Sequence, residues 1–474
     1  MNLTDYIKKF EKKEIIVIQG LGFVGSAMSL VCANAIKGDY GVIGVDLPNA
    51  QGKKIVSKLN NGIFPFKAED PKIESFFQKS INKQNFFATT EKKAFQYADV
   101  IIVDINLDVI KKNDSSGALN NYDVDISNLK KAIKSIGEEC KEDVLVLVET
   151  TVPPGTCKEV IKPILYNCLI KRKLSTKNIR IGHSYERVMP GPNYIDSIQN
   201  YYRVYSGINK DSANAVENFL KTIISTDKYP LTRLGDTNST EMAKVLENSY
   251  RAMNIAFMVE WSRFAEEAGV DLYNIVKAIR MRSTHANMMY PGIGVGGYCL
   301  TKDALLASWS KQNLIGDNDP LYQSETSINI NDQMPRFAFE YLIKHYSNIN
   351  KSKILLLGIS YRGDVGDSRF SPVEKLYDYL INAGAIIDCH DPYLDYWHEK
   401  ELTIEKDINK ALSKPLDLII ISAGHSLYRK NKIINLIADL KSTFIYDTIG
   451  HLSENDITKL KNKHTIKVLG RGDI

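Results

Sequence analysis

The sequence predicts an α/β protein with two doubly wound regions separated by a long helix. Three observations carry this. Short apolar, β-rich runs alternate with helical stretches in the first third; one helical period then continues for about eight turns; strand–helix alternation returns in the last third. Continuous apolar runs, rather than alternating ones, are what a parallel sheet covered on both faces requires.

In the first region Glu14–Gln19, Gly41–Asp46, Asp99–Ile105 and Asp143–Thr150 read as buried strands. Val24–Lys37 and Ile126–Cys140 fit the crossover helices of a doubly wound, Rossmann-like plan. Lys111–Asp123 is polar throughout and reads as a loop long enough to act as a mobile lid. Ser239–Gly269 keeps apolar residues at helical spacing, with Gly269 as its C-cap, and more helix follows through Ile330. A helix of that length links domains or packs against a partner subunit. The last third supplies strands at Lys353–Gly358, Ala385–Asp391, Leu416–Ala423, Thr443–Thr448 and Thr465–Gly470. KILLLGISYRG echoes EIIVIQGLGFVG, so the two ends read as degenerate copies of one nucleotide-binding plan. The expected domains are residues 1–212, 213–334 and 335–474.

Composition narrows the classes further. The 474 residues carry a net charge of +5, with 25% charged and 44% hydrophobic residues, the balance of a soluble globular protein. No dense Lys/Arg block supports nucleic-acid binding. No apolar run reaches the roughly 20 residues that span a bilayer, so no membrane role is expected. The polar N-terminus lacks the apolar core of a signal peptide. Six cysteines without a C-x-x-C pair argue against a zinc site or a disulfide framework, leaving no metal and a cytoplasmic setting.

The first strand runs straight into Gly20-Leu21-Gly22-Phe23-Val24-Gly25, and a helix follows. Gly20 permits the tight turn, Gly22 admits a pyrophosphate against the backbone, and Gly25 lets the helix pack close to the strand. The helix N-terminus then offers free N–H groups to the phosphates. Asp46 ends the second strand, where a carboxylate accepts from the ribose diol and repels a 2′-phosphate. NAD is therefore the expected cofactor, rather than NADP.

Cys299 closes a run with glycines at 292, 294, 296 and 297, and Lys302–Asp303 follows it. A lone cysteine is most often a small buried hydrophobe. The flanking glycines and charges favour a reactive thiol instead. A thiol beside NAD points to covalent catalysis, in which a thiolate captures an aldehyde and loss of hydride leaves a thioester.

Together these motifs resemble the nucleotide-sugar 6-dehydrogenases, the UDP-glucose/UDP-N-acetylhexosamine dehydrogenase family, over nearly the whole chain. GLGFVG, ETTVPPGT (149–156), YERVMPG (185–191), EMAKVLENSYRAMNIAFMVE (241–260), GGYCLTKD (296–303), INDQMP (330–335), LGISYRGDVGDSRFSP (357–372) and CHDP (389–392) carry the resemblance in order. It implies a C6 alcohol oxidised through aldehyde and thioester to carboxylate, with two NAD consumed per product. Cys299 would be the nucleophile, with Lys244 and Asn248 stabilising the oxyanion from one helix face. Asp303 would activate water or accept protons. Thr151 would position that water beside the nicotinamide, and Glu186 would assist hydrolysis. Arg369 would reach the cofactor pyrophosphate. Substrate contacts would come from Glu186, Arg187, Lys244, Asn248, Asn287, Gly296 and Arg362.

Arg187 and Asn287 resemble the branch that oxidises 2-acetamido sugars, so a UDP-N-acetylhexosamine is favoured over UDP-glucose. The family's central helix also implies a homodimer. Tyr185, Tyr298, Thr301, Arg362 and His285 depart from residues common in the family, and VDINLD (103–108) replaces its V-P-T-P strand end. The alternatives are a UDP-glucose dehydrogenase, a two-electron NAD dehydrogenase of a hydroxyacid or sugar phosphate, and a non-catalytic NAD or nucleotide-sugar sensor.

Overall fold

Ile15–Gln19 is buried at every position, and its alternate residues enter different cores. Ile15 and Val17 pack into one hydrophobic cluster and Ile16 and Ile18 into another. Successive strand side chains point to opposite faces, so this sheet is covered on both sides. Lys353–Leu357 repeats the pattern: Ile354 and Leu356 enter one core, Leu355 and Leu357 a second.

The computed structural model describes residues 2–66, 70–114, 117–185, 187 and 191–474. It divides into two compact units. The first comprises Met1–Ile110, Asp123–Leu246 and Leu306–Pro320; the second comprises Lys111–Tyr122, Glu247–Leu305 and Leu321–Ile474.

The first unit holds an eight-stranded sheet. Its order is Thr232–Arg233, Val204–Gly207, Arg180–His183, Leu145–Val148, Val100–Val103, Ile15–Gln19, Gly41–Val45 and Phe86–Thr89. Pairing is parallel except between Arg180–His183 and Val204–Gly207. The strand order reverses about Ile15–Gln19, and the crevice at such a switch point is where ligands bind in open α/β sheets. The second unit holds an all-parallel five-stranded sheet. Its order is Ile386–His390, Lys353–Leu357, Leu418–Ile421, Phe444–Asp447 and Thr465–Val468.

The long helix spans Thr237–Ala268, 32 residues, and Gly269 ends it at φ +71°, the left-handed conformation a C-cap glycine takes. Its residues up to Leu246 belong to the first unit and the rest to the second. Met242, Leu246, Tyr250, Phe257, Trp261 and Phe264 are exposed on it. At about 100° per residue these six fall within one arc of about 100°. Glu241, Lys244 and Asn248 lie on the opposite side.

The segment expected to be a polar loop is instead a two-stranded sheet, Asp108–Asn113 with Leu119–Asp125. Lys111 pairs with Asp332 at 2.7 Å, and the Leu119 N–H donates to the Asn329 side chain at 2.8 Å. Tyr122 also donates to Glu325. The strands have almost no buried face, so they carry none of the apolar patterning from which a strand is read.

Candidate functional site

The glycine turn with Asp46 forms one group in the first unit, and Cys299 with Asn248, Lys302 and Asp303 falls in the second. The other described residues singled out by sequence are spread over both units. In the first unit, Gly20 sits at φ +95° at the end of its strand, where a Cβ would lie 2.2 Å from the Asp104 carbonyl oxygen. Gly25 is as restricted, since its Cβ would lie 1.8 Å from the Gly20 carbonyl oxygen. Gly22 differs, because a Cβ there would meet nothing within 4 Å. The turn is therefore sealed toward the protein at Gly20 and Gly25 and open at Gly22, as backbone recognition of a pyrophosphate requires. Leu21 is buried against Gly44, and Phe23 and Val24 open the helix Phe23–Ala33, with Phe23 stacked on Phe66. Asp46 is half-buried. Burial raises its pKa, and the Leu47 and Leu21 N–H groups hold it down. These residues fit an adenine dinucleotide.

The second sheet repeats this geometry with a different outcome. Gly358 has φ +96°, and its N–H donates to the His390 carbonyl at 2.8 Å, as the Gly20 N–H donates to Val45 at 2.9 Å. The following acid, Asp391, occupies the position of Asp46 but is fully buried. Its Oδ2 accepts from the Ile359 N–H at 2.9 Å, the Ser360 N–H at 3.0 Å and the Ser360 hydroxyl at 2.9 Å. His425 Nε2 lies 3.1 Å from the same oxygen. The Asp364 N–H donates to His425 Nδ1 at 2.9 Å, which leaves the proton on Nε2 to donate to Asp391. Burial works against ionisation of Asp391, but the hydrogen bond from His425 and the backbone donors outweigh it and bring the pKa down to about 2.

In the second unit, Gly296 and Gly297 lie against Tyr361: a Cβ on Gly296 would sit 2.6 Å from Tyr361 Cβ, and one on Gly297 2.9 Å from its ring. Cys299 follows, and it is exposed while the other five cysteines are buried. All six are unbridged. The Cys299 carbonyl accepts from the Lys302 and Asp303 N–H groups at 3.2 and 3.0 Å, forming the turn into the helix Asp303–Ser310. Asp303 is fully buried. It accepts from Asn248 Nδ2 at 2.6 Å and pairs with Lys302 at 3.1 Å. The Lys302 ammonium also lies 4.4 Å from the Tyr298 ring centroid. An exposed thiol thus stands on a rigid turn, with an amide, a carboxylate and a cation bonded together in the same unit.

Lys244 lies 5.4 Å from the centroid of Tyr185 and Arg187 lies 5.3 Å from it, so two cations share one buried ring. Arg187 also donates to the Tyr185 hydroxyl at 3.2 Å. Thr151, half-buried, follows the strand Leu145–Val148. Beside it, Glu149 and Arg203 form a buried ion pair at 3.0 Å. Asn287 donates to the Tyr250 hydroxyl at 2.8 Å. Arg362 is exposed, and Arg369 is held by Asp367 through two bonds of 2.9 and 2.7 Å. Glu186 lies outside the described residues. Sequence reasoning marked Tyr185 only as a departure from the residues common in the family and missed it as a shared platform. It also missed Glu241, whose carboxylate accepts two backbone N–H groups.

Domain signatures of the UDP-glucose/GDP-mannose dehydrogenase family match three stretches of the chain. The NAD binding domain covers residues 13–224, the central domain 238–332 and the UDP binding domain 355–454. The chain is 30% identical over 476 residues to a UDP-N-acetyl-D-mannosamine dehydrogenase of Methanocaldococcus jannaschii, covering 98% of this chain and 99% of that protein. It is 28% identical over 468 residues to the protein of that name from Methanococcus maripaludis, covering 98% of each. Its fold is similar to the solved UDP-D-ManNAc dehydrogenase of Pyrococcus horikoshii, with a TM-score of 0.79, 25% identity and coverage of 97% and 100% of the two chains. No helix among the described residues is long and apolar enough to cross a membrane. The chain belongs to the UDP-glucose/GDP-mannose dehydrogenase family and is an NAD-dependent oxidoreductase.

Proposed function

We propose that the protein oxidises the C6 hydroxyl of a UDP-N-acetylhexosamine to a carboxylate, through a thioester on Cys299. The observation that supports this most directly is the single exposed thiol on its glycine-bounded turn, in the unit that also holds the Asn248–Asp303–Lys302 cluster. The relatives' names favour an acetamido sugar, with the manno epimer first in line. Residues 20–25, Asp46 and Arg369 would hold NAD, which when bound would supply the two-electron acceptor, twice per product.

The chain's own groups carry the remaining work. The C6 alcohol loses two electrons and two protons to become an aldehyde. The Cys299 sulfur then adds to the carbonyl carbon, giving a thiohemiacetal. Loss of a second hydride leaves the thioester, and water releases the carboxylate and restores the thiol. Lys244 and Asn248 stabilise the oxygen that turns negative at each addition, a contribution typically worth a few kcal/mol. Asp303 takes protons, and Thr151 and Glu186 serve the hydrolytic water. Arg187, Asn287, Gly296 and Arg362 belong to the sugar-nucleotide pocket. The unbridged cysteines suit a reducing cytoplasm.

The test is a UDP-sugar panel with NAD, counting NADH per sugar and identifying the product by mass. Two NADH and a uronic acid are expected, and Cys299→Ser should lose net acid formation by roughly 10³-fold or more. One NADH per sugar, or acid made undiminished by Cys299→Ser, overturns the proposal.

A further inference from the structure

Glu241 is fully buried, yet it lies on the helix that carries Lys244 one turn further along. Its Oε2 accepts from the Gly155 N–H at 2.6 Å and its Oε1 from the Cys157 N–H at 2.8 Å. Both donors belong to the turn after Thr151: Gly155 takes φ +97° there, and Cys157 opens the helical segment that runs on to Lys171. N–H groups at a helix start have no partner within the helix and favour a negative acceptor. Glu241 supplies both acceptor oxygens from up to 86 positions away in sequence, though burial raises its pKa to about 7. The turn is also fixed from within, since the Thr156 hydroxyl donates to the Pro153 carbonyl at 2.6 Å.

From this geometry we infer that Glu241 is a positioning residue, which clamps the turn bearing Thr151 to the helix bearing Lys244 and so sets the separation of these two side chains. The inference rests on the roles given to Thr151 and Lys244 under Proposed function. Both carboxylate oxygens are needed. An amide of the same shape keeps one acceptor and turns its NH2 toward the second N–H, which loosens one side of the clamp without opening a cavity. A misplacement of about 1 Å at reacting groups costs as much as 10²-fold in rate.

The experiment compares wild type, Glu241→Gln, Lys244→Ala and the double variant, with rates normalised to folded enzyme by NAD-binding stoichiometry. Glu241→Gln is expected to lower kcat about 10- to 100-fold, with KM for NAD and sugar nucleotide within about twofold of wild type. In the Lys244→Ala background the same change should cost little more, because the group it positions is gone. An unchanged kcat in Glu241→Gln, a loss confined to KM, or full additivity with Lys244→Ala overturns the inference. The underlying reading is tested separately by the wild-type product: if wild type makes no uronic acid, that reading fails. If it does and Glu241→Gln behaves like wild type, only the clamp fails.

Discussion

Asn248 donates its side-chain amide to the buried carboxylate of Asp303 at 2.6 Å. The amide is therefore oriented by the acid, and one of its two N–H groups is already in use. Asn248→Ala should lower kcat about 10²-fold, the scale of losing an oxyanion donor, and should also leave Asp303 one donor short. Asn248→Asp should be worse, because it sets two carboxylates against each other in a dry site. Steady-state kinetics with a melting curve for each variant checks both.

Gly22 and Gly25 belong to one motif, but substitution should separate them. Gly22→Ala adds a methyl into open space and should leave stability within about 0.5 kcal/mol while weakening NAD binding at least tenfold. Gly25→Ala drives a Cβ against the Gly20 carbonyl and should destabilise the fold by several kcal/mol. Calorimetry for binding and denaturant titration for stability should give opposite rankings.

The exposed apolar stripe on the long helix is where we expect a second copy of the chain to pack, if the protein is the homodimer proposed from its sequence. Leu246→Glu combined with Phe264→Glu, both on that stripe, should convert dimer to monomer in sedimentation velocity. A wild-type protein that sediments as a fully active monomer removes the dimer.

Acid should unfold the protein through neutral histidines. Burial holds the pKa of His183 down to about 3, and burial together with the Arg429 charge holds that of His451 to about 4. Their unfolded values lie near 6.5, so the unfolded chain binds more protons between pH 6.5 and those values. Stability is then complete above pH 6.5 and falls as pH drops, each group adding about 1.4 kcal/mol per pH unit in the middle of its range. Asp391, depressed to about 2, adds a further loss below pH 4. His183→Gln should flatten the limb between pH 6 and 4 in urea titrations.

Ile15–Gln19, Gly41–Val45, Val100–Val103 and Leu145–Val148 were legible because they run apolar without interruption, as a sheet covered on both faces requires. Phe86–Thr89, Arg180–His183, Val204–Gly207 and Thr232–Arg233 of the same sheet were not read as strands; the last three are short and carry polar residues. The turn at residues 20–25 and the one-turn spacing of Lys244 and Asn248 were legible because the spacing itself is the geometry. Asp108–Asp125 was not, since its strands are polar and lean on Asp332, Asn329 and Glu325 from far along the chain. Glu241 was hidden differently. A glutamate near a helix start reads as a solvated charge, and its partners are backbone groups that carry no mark in sequence. The fork between Arg369 and Asp367 likewise depends on backbone geometry that a two-residue spacing leaves open.

The acid after each glycine turn has met a different fate. Asp46 keeps a half-open carboxylate, where we expect a ribose diol, whereas Asp391 has four internal donors bound to a single oxygen. Re-engineering the C-terminal copy into a second dinucleotide carrier would thus require more than restoring a glycine fingerprint. Its would-be ribose hook has become an internal rivet, and freeing it would cost the turn that it fastens.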